Sequence, residues 1–211
     1  MNLLFLGPPA SGKGTQAKIL ARTYGFTHLN TGDIFRQALA NQTPLGIKAH
    51  DEYWGRGRLV PDEITNGLAA EQLQKINHHF ILDGYPRTIG QAQALGVFLQ
   101  TSPHTIDYIV HFQCSDQTII TRAAARQTCT GCGEIYGLAR PPTTQSCDFC
   151  QGTLKVRSDD QPHLMPARLE EYHHKTAPLL EYYSQRYPLV TIDAEGTIDH
   201  VLLQIRHITK N

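Results

Sequence analysis

The sequence lacks any long hydrophobic run. None of its apolar stretches approaches the roughly 20 residues that a membrane-spanning helix needs. The opening MNLLFLG has no basic lead, and its short apolar stretch ends in Gly-Pro-Pro, unlike a signal peptide. We therefore expect a cytoplasmic protein without a membrane partner.

Net charge is also lacking, because 19 Lys and Arg residues balance 19 Asp and Glu residues. A neutral total argues against a general nucleic-acid coat, so no nucleic-acid partner is expected. Internal repeats and low-complexity segments are absent as well. With 40% apolar and 18% charged residues, the composition is that of an ordinary folded chain and not of a disordered one.

Short apolar runs alternate with helical patterns along the chain. Strands are predicted in NLLFLG, HHFILDGYP, IDYIVHFQC and PLVTIDAEG, with a fainter one in FTHLNTG. Helical spacing covers residues 14–25, 33–40, 46–53, 62–75, 89–99, 117–126, 168–185 and 198–207. Strands that alternate with helices predict an α/β fold with a parallel sheet flanked by helices on both faces.

Four of the five cysteines form two pairs, Cys129-x-x-Cys132 and Cys147-x-x-Cys150, and Cys114 stands alone. Their spacing and the reducing cytosol favour a tetrahedral metal site with four thiolate ligands. Zinc is the first choice, and iron fits the same sulfurs. Since no open position remains, the metal would be structural. The alternatives are two redox pairs or ordinary small core residues, and Cys114 is expected to be such a residue.

The segment GPPASGKGTQ lies between the first predicted strand and the first predicted helix. Gly7, Gly12 and Gly14 allow the backbone to turn its N–H groups inward, and the helix adds the positive end of its dipole. Lys13 can reach the β- and γ-phosphates, and Thr15 or the neighbouring backbone is expected near the accompanying magnesium. The segment predicts a nucleoside triphosphate site. The alternative is a glycine-rich turn that only packs a helix on a strand.

Asp83 ends the predicted strand HHFILDGYP. The carboxyl edge of a parallel sheet would place it beside the phosphates, where an aspartate commonly holds magnesium directly or through water. The alternative is an aspartate in a turn or at a helix N-cap.

Six motifs in order then carry a family resemblance: GPPASGKGTQ, NTGDIFR, GRLVPDE, LDGYPRTIGQA, RSDDQ and EYHHKTAPL. Together they resemble the adenylate kinase family over nearly the whole chain, and the four-cysteine insert resembles the long, metal-binding lid of some bacterial members. The resemblance implies a P-loop parallel sheet flanked by helices, with an AMP-binding helical insert and a small zinc-ribbon lid. The implied division is residues 1–29, 61–126 and 163–211 for the core, 30–60 for the insert and 127–162 for the lid.

The reaction that the resemblance implies is ATP plus AMP giving two ADP, reversibly and with Mg²⁺. The AMP phosphate is already an anionic nucleophile, so catalysis should depend on positioning and positive charge and not on a general base. A monomer is expected, because one chain would carry both substrate sites.

The resemblance also implies three sets of site residues. The catalytic set is Lys13, Arg36, Asp83, Arg87, Arg126, Arg157 and Arg168. The ATP-binding set is Ala10, Ser11, Gly12, Lys13, Gly14, Thr15, Arg122, Arg126, Ile135, Tyr136, Gly196 and Ile198. The AMP-binding set is Thr31, Arg36, Arg58, Leu59, Val60, Gly84, Tyr85, Pro86, Arg87, Gln91, Arg157 and Arg168.

Some positions carry individual expectations. Gln91 is the candidate for base specificity, because its amide can pair with the donor and acceptor edge of adenine. Asp159 and Asp160 are expected to brace the lid arginines in the closed state. Ala10 stands where the family loop usually has Gly, and Trp54 replaces a smaller residue near the expected AMP base.

Two prolines also depart from the family pattern, since Pro162 and Pro166 fall in a stretch that usually has none. We expect them to stiffen the return from the lid or to delay the helix that follows.

Two other functions remain open. The first is a kinase for UMP, CMP or GMP, because base choice depends on a few side chains. The second is a nucleotide-regulated protein whose ribbon binds nucleic acid. That function needs a basic, aromatic surface, and residues 128–156 offer only Arg140, Lys155, Tyr136 and Phe149.

Overall fold

A five-stranded parallel sheet forms the centre of the protein. The structure is a computed structural model and describes residues 1–209. The strands are β1 Leu3–Leu6, β2 Thr27–Asn30, β3 Phe80–Asp83, β4 Tyr108–Gln113 and, late in the chain, β8 Leu189–Asp193. Their order is β2-β3-β1-β4-β8, and every pairing is parallel. The predicted α/β fold is confirmed, including the faint strand β2.

Nine α-helices accompany the strands within the described residues. They are α1 Lys13–Tyr24, α2 Thr31–Ala40, α3 Pro44–Glu52, α4 Asp62–Leu73, α5 Ile89–Gln100, α6 Asp116–Ala125, α7 Met165–Glu171, α8 Leu179–Ser184 and α9 Ile198–Thr209. Among residues 1–209, no helix is long and apolar enough to cross a bilayer.

The helix predicted over 168–185 is interrupted. A π-helical turn, Tyr172–Thr176, separates α7 from α8, and the Ala177 N–H donates to the Tyr172 carbonyl at 2.8 Å. Pro178 has no N–H to continue the ladder, which explains why regular helix stops before it. The two other prolines do not delay α7: Pro162 begins a 3₁₀ turn and Pro166 lies in the first turn of α7, where its missing N–H costs nothing.

Both faces of the sheet are covered by helices. Leu4 and Leu82 face a cluster that includes α4, α5 and α8, and Leu3 and Phe5 face a cluster that includes α1 and α9. Alternate residues of β1 therefore point into two different cores. This explains why the strand is a continuous apolar run without polar alternation.

The strand order changes direction at β1, and this switch point places a crevice at the carboxyl edge of the sheet. β1 lies between β3 and β4, so the chain leaves β1 for one side of the sheet and later crosses to the other. Ligands bind in the crevice outside the strand ends at such a switch point.

Residues 127–162, the segment expected to form the lid, contain a small antiparallel sheet. Its strands β5 Gln127–Cys129, β6 Ile135–Tyr136 and β7 Leu154–Val156 have the order β6-β5-β7. Strands of two or three residues are too short to produce a hydrophobic period, so the sequence had indicated only an irregular insert.

The helical insert depends on one close backbone contact between α2 and α3. A Cβ atom on Gly46 would lie 2.3 Å from the backbone of Ala38 and Leu39. We predict that Gly46→Ala destabilises the protein by about 1–3 kcal/mol, since the two helices must separate. Thermal unfolding measures the effect.

A matched control is Gly67→Ala on α4, where an added Cβ meets nothing within 4 Å. Alanine there should stabilise the helix by about 0.5–1 kcal/mol. Equal effects of the two substitutions would contradict the packing of the insert described here.

Candidate active site

One cavity of about 750 Å³ opens at the carboxyl edge of the sheet, between the sheet, the helical insert and the lid. Its volume suits nucleotide-sized ligands. All but one of the residues that the sequence predicts for nucleotide binding and catalysis line this cavity.

The exception is Tyr85, whose side chain points away from the cavity into the core. Its hydroxyl donates to Asn66 Oδ1 at 2.9 Å, and the residue is 2% exposed. The motif placed Tyr85 beside Gly84 and Pro86, which do line the cavity. The backbone turn there directs the tyrosine ring to the opposite side, so its side chain offers no contact to a ligand in the cavity.

The loop between β1 and α1 forms the floor of the cavity. Gly7 and Gly12 have φ values of 148° and 100°, which favour glycine because it lacks a Cβ. Lys13 Nζ donates to the Gly7 carbonyl at 2.8 Å and to the Pro8 carbonyl at 2.6 Å. Burial lowers the pKa of Lys13 to about 8, so its ammonium is a poorly solvated charge that an anion would stabilise.

Ala10 occupies the left-handed region with φ of 58°. That conformation costs an L-residue about 1 kcal/mol, which explains why glycine is usual at this position. The Ala10 methyl group packs against the cluster that contains Ile119 and Met165. The methyl group therefore fits beside the loop and gains apolar contacts.

Asp83 lies against the phosphate loop. A Cβ on Gly14 would be 3.3 Å from Asp83 Oδ2, and the same oxygen contacts His28 Nε2 at 3.0 Å and accepts from Asn30 Nδ2 at 2.6 Å. Burial alone raises the pKa of Asp83, but the hydrogen bond from His28 and the ammonium of Lys13 outweigh it and hold the pKa well below its usual range. The carboxylate is therefore charged.

Sequence reasoning missed His28 and Asn30. The two residues alternate along β2, and Asn30 pairs in register with Asp83 on β3. Polar side chains at alternate positions near the end of a strand were the available signal.

Six of the cationic residues that line the cavity are here called the phosphate clamp: Lys13, Arg36, Arg87, Arg126, Arg157 and Arg168. Two carboxylates hold part of the clamp. Asp160 accepts from Arg126 Nε at 2.6 Å and from Arg168 Nη1 at 2.7 Å. Asp159 Oδ2 lies 3.3 Å from Arg168 Nη2. Asp159 and Asp160 therefore hold two arginines that flank the lid, and the bracing expected for the closed lid stays a prediction.

Among the other clamp arginines, Arg36 pairs with Asp33, whereas Arg87 and Arg157 donate to neutral oxygens. Arg87 Nε donates to the Gly84 carbonyl at 2.7 Å, and Arg157 Nε donates to Thr128 Oγ1 at 2.9 Å. Burial, followed by neighbouring arginines, lowers the pKa of Arg87 to about 10 and that of Arg157 to about 9. Both remain protonated at neutral pH and are available to anionic oxygens.

One end of the cavity meets the turn after β8. Arg122 Nη1 donates to the Ala194 carbonyl at 2.7 Å, and Arg122 Nη2 donates to the Glu195 carbonyl at 3.1 Å. Thr118 and Thr121 line the same wall, and sequence reasoning missed both. For Thr118 the signal was its position four residues before Arg122, because residues three and four apart share a helix face; Thr121 lies three residues after Thr118.

The other end is lined by Thr31, Trp54 and Gln91. Thr31 Oγ1 donates to the Gly84 carbonyl at 2.9 Å, and the Trp54 ring stacks edge-on against His50 with centroids 4.6 Å apart. Gln91 is 1% exposed, so its amide is a buried polar group on the cavity wall.

The four lid cysteines form a cluster. Their sulfur atoms all lie within 4.8 Å of one another, and Cys114 lies elsewhere. The sulfur atoms of Cys129 and Cys150 are 3.4 Å apart, and those of Cys132 and Cys147 are 3.5 Å apart. A Cβ on Gly152 would lie 2.9 Å from the Cys129 sulfur, so glycine leaves the space that the cluster needs.

The lid rests on α1 through a buried carboxylate. Glu134, 3% exposed, forms ion pairs with Arg22 of α1 and with Arg140 of the lid. The exposed Phe149 ring lies under both guanidinium groups, 4.4 Å and 5.0 Å from their carbons. Lys18 donates to the Gly133 carbonyl beside them. These contacts close the cavity on the lid side.

Comparison with known proteins identifies the arrangement. A family model described as Adenylate kinase matches residues 5–187. The chain belongs to the adenylate kinase family.

Relatives named Adenylate kinase align with nearly the whole chain. The Fervidobacterium nodosum protein is 42% identical over 206 residues, which cover 96% of this chain and 94% of the relative. The Geobacillus sp. strain WCH70 protein is 42% identical over 212 residues, covering 99% and 98%. The Archaeoglobus fulgidus protein is 41% identical over 212 residues, covering 99% and 97%.

Membership establishes the chemistry. The chain is a phosphotransferase of the adenylate kinase family and transfers the γ-phosphoryl group of ATP to AMP, reversibly, to give two ADP. Adenylate kinases use Mg²⁺ with ATP. The cavity at the switch point of the sheet suits this reaction, because the phosphate loop and the clamp share it.

The contact between lid and α1 leads to a prediction for this kinase reaction. Arg22→Ala removes one of the two ion pairs of Glu134 and the cation–π contact with Phe149. We expect the KM for ATP to rise about three- to tenfold, with kcat unchanged or higher, because lid closure becomes less favourable while opening becomes easier.

Arg186→Ala is the matched control. Arg186 is exposed and lies 4.1 Å from the Tyr182 ring, so it loses a cation–π contact remote from the lid. A KM for ATP that changes equally in both variants would contradict a role for the Arg22 contact in closure.

Proposed function

We propose that the phosphate loop and Arg122 bind ATP, that the helical insert and the Gln91 wall bind AMP, and that the phosphate clamp carries the transfer between them. The observation that carries this proposal is the convergence of Lys13 and five arginines on one cavity whose two ends have different polar walls. Positive charge of that density suits the phosphates of a nucleotide.

Catalysis then consists of positioning and charge. AMP supplies an anionic oxygen, so no side chain has to remove a proton from it. Two anions have to approach each other, and the planar forks of Arg126 and Arg168 bind phosphate oxygens at two points each. Because Asp160 fixes both guanidinium groups, they are oriented before a nucleotide arrives.

Asp83 and Thr15 are the residues that would hold magnesium. Within the described chain, the hydrogen bonds to Asp83 reach Oδ2, which leaves Oδ1 for the ion or its bound water. A magnesium ion held there would supply positive charge to the transferring phosphoryl group. The depressed pKa of Asp83 keeps the carboxylate ready for a divalent cation.

The lid cluster fits a structural zinc ion. Four thiolates about 2.3 Å from zinc place their sulfurs about 3.8 Å apart. Two sulfur pairs are 3.4 Å and 3.5 Å apart and all four sulfurs lie within 4.8 Å of one another, which is close to that arrangement. Four sulfur ligands leave no position for substrate or water. The metal would stabilise a lid whose apolar core is small.

The proposed division into parts follows from these roles. Residues 1–29, 61–126 and 163–211 make the core, 30–60 the AMP-binding insert and 127–162 the lid; Lys210 and Asn211 lie outside the described residues. We propose a monomer, because both substrate walls belong to one chain. A reducing compartment such as the cytoplasm would keep the four thiols available to a metal.

The reaction and its acceptor are tested by ADP formation from ATP, with magnesium, using AMP, CMP, UMP or GMP in turn. We expect strong activity with AMP alone. A preference for another base would change the proposed base specificity and leave the proposed role of the phosphate clamp in place. Inactivity with all four would contradict the proposed function of the cavity.

The metal is tested by metal analysis and thermal unfolding of Cys132→Ser. We expect the wild type to carry one ion per chain, zinc or iron, and the variant to lose it and to unfold more than about 5 °C lower. Cys114→Ala is the control and should keep the ion. A wild type purified without metal would contradict the lid site.

A further inference from the structure

The side-chain amide of Gln91 is held at both ends. Its Oε1 accepts from the Arg87 backbone N–H at 2.7 Å, and its Nε2 donates to Asp62 Oδ1 at 2.8 Å. A backbone N–H only donates, and a carboxylate only accepts. The amide therefore has one favourable orientation, and turning it over would create two repulsive contacts.

Asp62 is held in this position by contacts from α4 and from the start of α5. It lies in the first turn of α4, and its Oδ2 accepts from Thr88 Oγ1 at 2.7 Å. The same hydroxyl caps α5 by accepting from the Gln91 N–H at 3.1 Å. A Cβ on Gly90 would lie 2.8 Å from Asp62 Oδ2, so glycine leaves room for the carboxylate.

The two anchors use half of the amide's hydrogen-bonding capacity. An amide has two N–H donors and two lone pairs on oxygen, so one donor and one lone pair of Gln91 remain on the cavity wall. Adenine presents an acceptor at N1 and a donor at N6, which complement this order. A 6-oxopurine presents a donor at N1 and an acceptor at O6, which oppose it.

We infer that Asp62 fixes the polarity of the Gln91 amide and thereby selects a 6-aminopurine monophosphate over a 6-oxopurine monophosphate as phosphoryl acceptor. This inference rests on the proposed role of Gln91 at the AMP base. Asp62 does not line the cavity, so it is a positioning residue that acts through Gln91. A site whose polar groups are fixed in the wrong order rejects a ligand more strongly than an adaptable site.

The test compares kcat/KM for AMP with kcat/KM for IMP, which differ at the base only in this edge. Asp62→Asn keeps the shape but can donate as well as accept, so the amide is no longer held at that end. We expect the AMP-to-IMP ratio to fall about tenfold, the value of one hydrogen bond, with the KM for ATP unchanged.

Glu63→Gln is the matched control, because it makes the same change at the next residue of α4, which is exposed. It should leave the ratio at its wild-type value. Asp62→Ala is a second variant that removes the acceptor and should lower the ratio as well. A general loss of stability would lower activity with both acceptors and leave the ratio unchanged.

The outcomes separate the inference from the proposed function. A ratio within twofold of wild type in both Asp62 variants, together with a lowered ratio in Gln91→Ala, overturns the inference and leaves the role of Gln91 standing. An unchanged ratio in Gln91→Ala overturns that role and the inference with it. A wild type inactive with AMP overturns the proposed function itself.

Discussion

Charge crowding in the cavity is the constraint on which the rest of the site depends. Lys13 and the five arginines of the phosphate clamp are opposed there by a few carboxylates, chiefly Asp83, Asp159 and Asp160. Like charges held together in a partly dry site cost free energy until an anion joins them. Repulsion among these cations lowers the stability of the free protein. Bound phosphates relieve that repulsion, so the same interaction strengthens nucleotide binding.

The fold makes the crowding possible by fixing each charge from a different element. Carbonyl groups of the phosphate loop accept hydrogen bonds from Lys13, β5 begins directly after Arg126, and β7 ends directly before Arg157. Asp160, in the return from the lid, ties Arg126 to Arg168 of α7. Movement of the lid therefore also moves part of the clamp, which couples closure over ATP to assembly of the charges.

Much of this could be predicted from sequence for physical reasons. Strands buried on both faces are continuous apolar runs, and a loop such as GPPASGKGTQ has few functions other than phosphate binding. Contacts between elements could not be predicted in the same way. Tyr85 points into the core because of a backbone turn, His28 meets Asp83 only through sheet register, and Glu134 is buried only where the lid rests on α1.

The central claim is tested most directly by counting protons taken up when magnesium-ATP binds, by titration calorimetry in two buffers of different ionisation enthalpy. With a pKa of about 8, Lys13 is mostly neutral at pH 8.5 in the free protein and should bind about 0.8 proton when phosphates favour its ammonium form. At pH 7 the uptake should be close to zero, and Lys13→Arg should remove most of the uptake at pH 8.5, leaving the small share of Arg157, whose pKa is about 9. No uptake at pH 8.5, or the same uptake in Lys13→Arg, would contradict the account.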